Sequence, residues 1–408
     1  MDKKRIAFLI IFILVSIGIG YALYRVFFAG SITPPTTTTP PITQDGDPIL
    51  FPIAGEGTDI GIVVDGGTGQ LPTSIDVSPE NTRTTDTIPQ ISQSLDNTVA
   101  NMRIGANNNL QFYNRDDGKF YAKDINGTVK QLSDEVFFNV SDVTWSAKNN
   151  TAVLEYPDGA NIIYNFDTKK QVTLPKHWED FSFSSQGDHI AAKSVGLARE
   201  NKWLVYTNTD GSETYQIEAL GDNADKVIVD WSPNEQIVAL ARTGAAMGVD
   251  REEILFVGLH GENYRSMVVE GRGIEAAWSP TGDKLLYSVY SARSDYKPEL
   301  WIVDATPQTI GQNRKLLNVE TWPDKCTFSS ERYVYCAVPV TLQTGAGLAP
   351  SLAETTPNYL VKIDTNSGSK SVIPLEENYV IDELFVDEQA GILYFTDSYS
   401  SGLFEVAL

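Results

Sequence analysis

Cysteine and histidine are nearly missing from this chain of 408 residues, with two and three respectively. Two cysteines exclude a disulfide scaffold and a Cys-rich zinc module. His177, His189 and His260 lie far apart and leave little for a histidine metal centre, so neither a metal nor a cofactor is expected. Basic residues are also scarce, 31 against 53 acidic ones, for a net charge of -22. That balance argues against nucleic acid, whose phosphates need Lys and Arg. Catalytic signatures are absent too. No G-x-S-x-G elbow, P-loop or G-x-G-x-x-G fingerprint follows a strand-like run. Apolar residues make up 42% and aromatics 10%, which supports a sizeable core and excludes global disorder.

The N-terminus reads as a membrane segment. Lys3, Lys4 and Arg5 precede an uncharged run from Ile6 to Tyr24, and after Arg25 the apolar character continues to Phe28. About twenty apolar residues cross a bilayer as a helix, which predicts a span over 6–28. The basic cluster keeps 1–5 in the cytoplasm and sends the rest outside, to the periplasm or the cell surface. A signal peptide cleaved before Tyr21 is the alternative. Residues 31–47, SITPPTTTTPPITQDGD, read as a semi-rigid extended spacer inside a Thr/Pro/Gly-rich linker over 29–85.

From about residue 86 the chain repeats itself. Each unit has a strand ending in an aromatic residue, a turn, then an apolar strand. The aromatic anchors are Trp145, Phe183, Trp231, Trp278, Phe328 and Phe385, spaced 38, 48, 47, 50 and 57 apart. A further turn carries Asp124, Asp167, Asp210, Asp304 or Asp364, where an Asp side chain accepts backbone N–H bonds. Units of 40–50 residues with four strands each signal an all-β propeller. Residues 86–408 accommodate seven blades, with six or eight as alternatives. The last unit has only three strands. The strand-like segment 87–95 is therefore expected to supply its fourth and close the ring, which removes a free edge.

The best copies, Trp231-Ser232-Pro233 and Trp278-Ser279-Pro280-Thr281-Gly282-Asp283, resemble the C-terminal propeller of the TolB family and, more loosely, WD40 proteins. Tyr394-Phe395-Thr396-Asp397 resembles a single YWTD propeller motif. The resemblance covers about 86–408 and implies an interaction platform of periplasmic type, not an enzyme.

In such a blade, with strands a to d counted outward, the b–c and d–a loops share one face. The long loops 195–201, 242–253, 290–299 and 340–358 all fall there, the pattern of a binding surface. Its candidate contacts are Trp178, Trp322, His177, Arg199, Arg242, Arg251, Arg272, Arg293 and Tyr296. The tryptophans are either contact anchors or covers over blade junctions. The arginines are either a site for an anionic ligand or acidic peptide, or scattered solvated charge. Cys326 and Cys336 are equidistant from Glu331 in a predicted hairpin and face each other across it; they are either a disulfide or two buried thiols. The function expected is a non-catalytic platform, anchored in the membrane, for a protein partner or an envelope glycan. A propeller enzyme acting on an envelope polysaccharide and a structural subunit of a surface machine are the alternatives.

Overall fold

The computed structural model describes residues 89–105, 108–245, 247–262 and 264–408. The membrane span, the stalk and most of the linker expected from the sequence lie outside the described residues. Among the described residues, no helix is long and apolar enough to cross a membrane.

Seven four-stranded antiparallel sheets follow one another along the chain, and the protein is a seven-bladed β-propeller. Blades 1 to 6 cover 99–131, 142–174, 178–219, 227–269, 272–316 and 326–373. Blade 7 takes its strands a, b and c from 381–407, and its outermost strand is Ile91–Leu95, which pairs antiparallel with Leu403–Ala407. The last strand of the fold thus comes from the start of the described chain, and the sheet edge of blade 7 is covered.

The hydrophobic effect explains why these units form a ring. Each sheet is apolar on both faces, so it is stable only between two neighbours. The buried side chains form seven clusters, and each unites residues of two adjacent blades. The seventh joins Val99, Met102 and Phe112 of blade 1 to Tyr394 and Leu403 of blade 7. The aromatic anchors are part of this packing. Trp231 is buried with Ala191 and Leu204 of blade 3. The Trp278 indole donates to the Asp230 carbonyl at 3.0 Å, and that of Trp145 to the Asn101 carbonyl at 2.8 Å. A second latch runs along the a–b turns. Asn149 donates to the Gly187 carbonyl, Glu235 accepts from Ser185 and Gln186, and Asn234 donates to the Gly282 carbonyl. Three c–d turns use the Asp chemistry expected of them, with Asp124, Asp210 and Asp364 accepting from backbone N–H groups that follow them, whereas Asp167 and Asp304 accept from the side chains of Asn150 and Asn313.

Candidate functional site: a cleft on the loop face

The innermost strands carry a feature that the repeat pattern did not announce. Strand a is bulged in blades 1, 3, 5 and 7, with register breaks at Ala100/Arg103, Glu179/Ser182, Arg272/Glu275 and Ile381/Leu384. Three of these bulges hold a residue in left-handed conformation: Asn101, Asp180 and Gly273. A bulge adds one residue on one side of the ladder and re-aims the side chains around it. Here the re-aimed groups are mostly carboxylates. Glu383 reaches from blade 7 to the backbone N–H groups of Asn101 and Met102, at 2.6 and 2.7 Å. Asp180 accepts from Val229 N–H of blade 4 at 3.0 Å.

Glu275, beside the bulge of blade 5, instead faces a cleft of about 660 Å³ on the b–c/d–a face. Blades 5, 6 and 7 line it. Glu275, Asp324, Lys325 and Asp382 supply charge, Asn358 and Ser398 neutral polarity, and Trp322, Pro339, Pro350, Ala353 and Tyr399 apolar surface. Glu354 stands exposed on the rim. Desolvation, with Asp324 adding repulsion, pushes the Glu275 carboxyl up to about 7. Desolvation also raises Asp324, and Lys325 offsets part of that rise. Lys325 is itself engaged: it donates to the Ile381 and Asp382 carbonyls at 3.0 and 3.1 Å and pairs with the Asp382 carboxylate at 3.6 Å. Neither Glu275 nor Asp324 has a salt-bridge partner among the described residues. A second carboxylate group lies at blades 2 and 3, where Glu155 is pushed up to about 7 by burial and then by Asp142, Asp180 and Glu179.

The wall of the cleft is built by close backbone approach. The 340–357 loop stands on the b–c loop of blade 5: Gly345 and Gly347 N–H donate to the Asp295 and Tyr296 carbonyls at 2.9 and 2.8 Å. Asp295 and Tyr296 are both left-handed, which turns those carbonyls outward. The Tyr290 side chain runs between two glycines. A Cβ on Gly273 would lie 2.3 Å from Tyr290 Cε1, and one on Gly347 would lie 2.6 Å from Tyr290 Cβ.

The candidates from the sequence take different places. Trp178 opens strand a of blade 3 and is only 7% exposed, packed with Phe181, Phe183 and Val205. Trp322 is 5% exposed and forms part of the cleft wall. The contact-anchor reading is corrected for Trp178, because its indole fills a blade junction. His177 beside it is exposed. Each of the candidate arginines has an acidic or carbonyl partner of its own. Arg199 pairs with Asp222 at 3.3 Å, Arg251 with Glu270 at 3.1 Å and Arg293 with Glu299 at 2.6 Å. Arg242 donates to the Asp225 carbonyl, and Arg272 to the Gly248 and Val249 carbonyls. Cys326 and Cys336 are direct cross-strand partners and form a disulfide. It lies immediately after the turn that carries Asp324 and Lys325.

Exposed apolar side chains favour this same face. Val136, Phe138, Leu197, Met247, Val249, Tyr296, Val340, Leu348, Leu352 and Tyr399 all belong to its loops. Ile125 and Leu408 lie at the opposite face, and Val129, Tyr215 and Val372 on outer strands. Glu275, Asp324 and Glu354 were missed from the sequence. The signal available for the first was Gly273 inside an inner strand, the mark of a bulge.

No protein-family model matches this chain, and no curated protein sequence is similar to it. Solved structures are similar. An oligogalacturonate lyase in complex with manganese superposes with a TM-score of 0.53 at 13% identity, over 78% of this chain and 93% of that one. The propeller domain of Cps50 (Swd1) from Myceliophteria thermophila gives 0.52 at 12% identity, over 78% and 100%. TolB from Acinetobacter baumannii gives 0.43 at 13% identity, over 64% and 60%. What is shared is the propeller fold. At such identities the likeness carries no activity, since propellers host many unrelated functions.

Proposed function

We propose that this chain is a binding platform, anchored in the membrane and displayed outside the cytoplasm, that takes its partner on the b–c/d–a face. The observation that carries the reading is the bias of exposed apolar side chains toward that face. Apolar groups gathered on one side of a soluble domain mark an interaction surface, because each costs free energy until a partner removes it from water. Two features support the location. Lys3, Lys4 and Arg5 precede the apolar run, and the Cys326–Cys336 disulfide suits an oxidising compartment.

Site-specific photocrosslinking tests the reading. A photoreactive residue at position 399 of the full chain in native membranes is expected to capture a partner, and one at position 125 to capture none. Crosslinks from 125 or from the outer strands, and none from 399, would favour a structural subunit held by its flanks.

One observation favours a second reading, an enzyme acting on an envelope polysaccharide. Glu275 and Asp324 are both raised carboxyls in one cleft, which suits proton transfer near neutral pH. Turnover of an envelope polysaccharide that disappears in Glu275→Gln would establish it.

A further inference from the structure

The apolar rim and the charge of the cleft together define what kind of partner fits. We propose that the cleft of blades 5 to 7 docks a basic, partly apolar polypeptide segment, with a partner Lys or Arg side chain meeting Glu275 and Asp324. This rests on the platform reading above and names the partner's chemistry. Tyr399, 68% exposed, lines the cleft, and the exposed Leu352 and Val340 are the chain neighbours of Ala353 and Pro339 in its wall. Those groups would cover the apolar part of a peptide.

Charge complementarity decides the rest. The cleft presents Glu275, Asp324, Asp382 and Glu354 against one cation, Lys325, whose ammonium is already bound to two carbonyls and to Asp382. A phosphate, an acidic glycan or an anionic lipid headgroup would meet repulsion there, within a chain of net charge -22. A guanidinium or ammonium group would supply the counter-charge that Glu275 and Asp324 lack among the described residues. The volume of about 660 Å³ holds several side chains, which suits a peptide segment better than a lone ion.

The test uses the full chain in neutral phosphatidylcholine nanodiscs and a short fluorescent peptide carrying alternating Lys and Leu. Matched peptides replace Lys by Glu, or Leu by Ser. Fluorescence anisotropy at low salt is expected to show binding of the Lys/Leu peptide only. Affinity should fall at least about tenfold in Glu275→Gln/Asp324→Asn, as expected when two carboxylates facing a bound cation are removed. It should fall similarly in Leu352→Ser/Tyr399→Ser, which changes exposed side chains and leaves the fold intact. Asp167→Asn/Asp210→Asn, the same charge change at c–d turns of the other face, should bind like the parent. Equal weakening in that control would reduce the effect to bulk charge and overturn the proposal. Binding of the Glu peptide, or unchanged affinity in the two cleft variants, would overturn it as well. A partner crosslinked at 399 that is acidic, or is a glycan, would overturn this inference and leave the platform reading standing. No crosslink from that face would remove both.

Discussion

Glu383 of the last blade accepts the backbone N–H of Asn101 in the first blade at 2.6 Å, and its other oxygen accepts that of Met102 at 2.7 Å. One carboxylate thereby spans the seam where the ring begins and ends, on its inner side. The strand pairing of Ile91–Leu95 with Leu403–Ala407 holds the same seam on its outer side. Burial raises the Glu383 carboxyl, and the two N–H groups pull it partly back.

Glu383→Ala leaves both N–H groups without their acceptor. A buried unsatisfied donor costs about 1–3 kcal/mol, so the midpoint of urea unfolding should drop clearly. Glu383→Gln keeps one acceptor oxygen and should lose less. An alanine variant as stable as the parent would mean that water replaces the latch.

The disulfide closes a loop with a sequence separation of 10. A loop of that size contributes about 3 kcal/mol on the chain-entropy model. Thiol titration of the unreduced, denatured protein should find no free thiol. Cys326→Ser/Cys336→Ser should melt below the parent, whereas two titratable thiols would remove the bridge.

Stability should fall as pH rises from about 4.3, the usual Glu value, to about 7. Glu155 and Glu275 are both pushed up to about 7 in the folded chain. A carboxyl with a raised folded pKa holds its proton more tightly when folded, so low pH favours folding through these groups. Glu275→Gln should flatten the melting temperature between pH 5 and pH 8. Asp364 acts in the opposite window: the Ser367 backbone N–H and then Arg332 hold it at about 2, so its contribution is lost only below about pH 4.

Gly273→Ala should be costly for a small change. Its Cβ would lie 2.3 Å from the Tyr290 ring, at a backbone φ of +63° that L-residues disfavour. Such strain costs about 1–3 kcal/mol, and Tyr290 must move away from the loop that carries Gly347. Loss of stability together with weaker capture at position 399 is expected. Loss of stability alone would mean that the cleft wall does not depend on Tyr290.

The repeat at Trp145, Phe183, Trp231, Trp278, Phe328 and Phe385 was enough to identify a propeller and to count seven blades. Blade formation is local: apolar strands, Asp turns and an aromatic plug recur in most units and need no distant information. The cross-strand position of Cys326 and Cys336 was equally legible, because hairpin register follows from counting residues about a turn. The binding face was legible only as loop length. The sequence left Trp178 open between a contact anchor and a junction cover, because its burial depends on Val153, Ile163 and Leu174 of the neighbouring blade; the pairing of Arg251 with Glu270 depends on how the b–c and d–a loops of blade 4 meet. Glu275, Asp324 and Asp382 come from three blades and more than a hundred residues of chain. Only the packing of three consecutive blades and the bulge at Gly273 bring them to one cleft, and no local pattern encodes a separation set by the packing of neighbouring sheets.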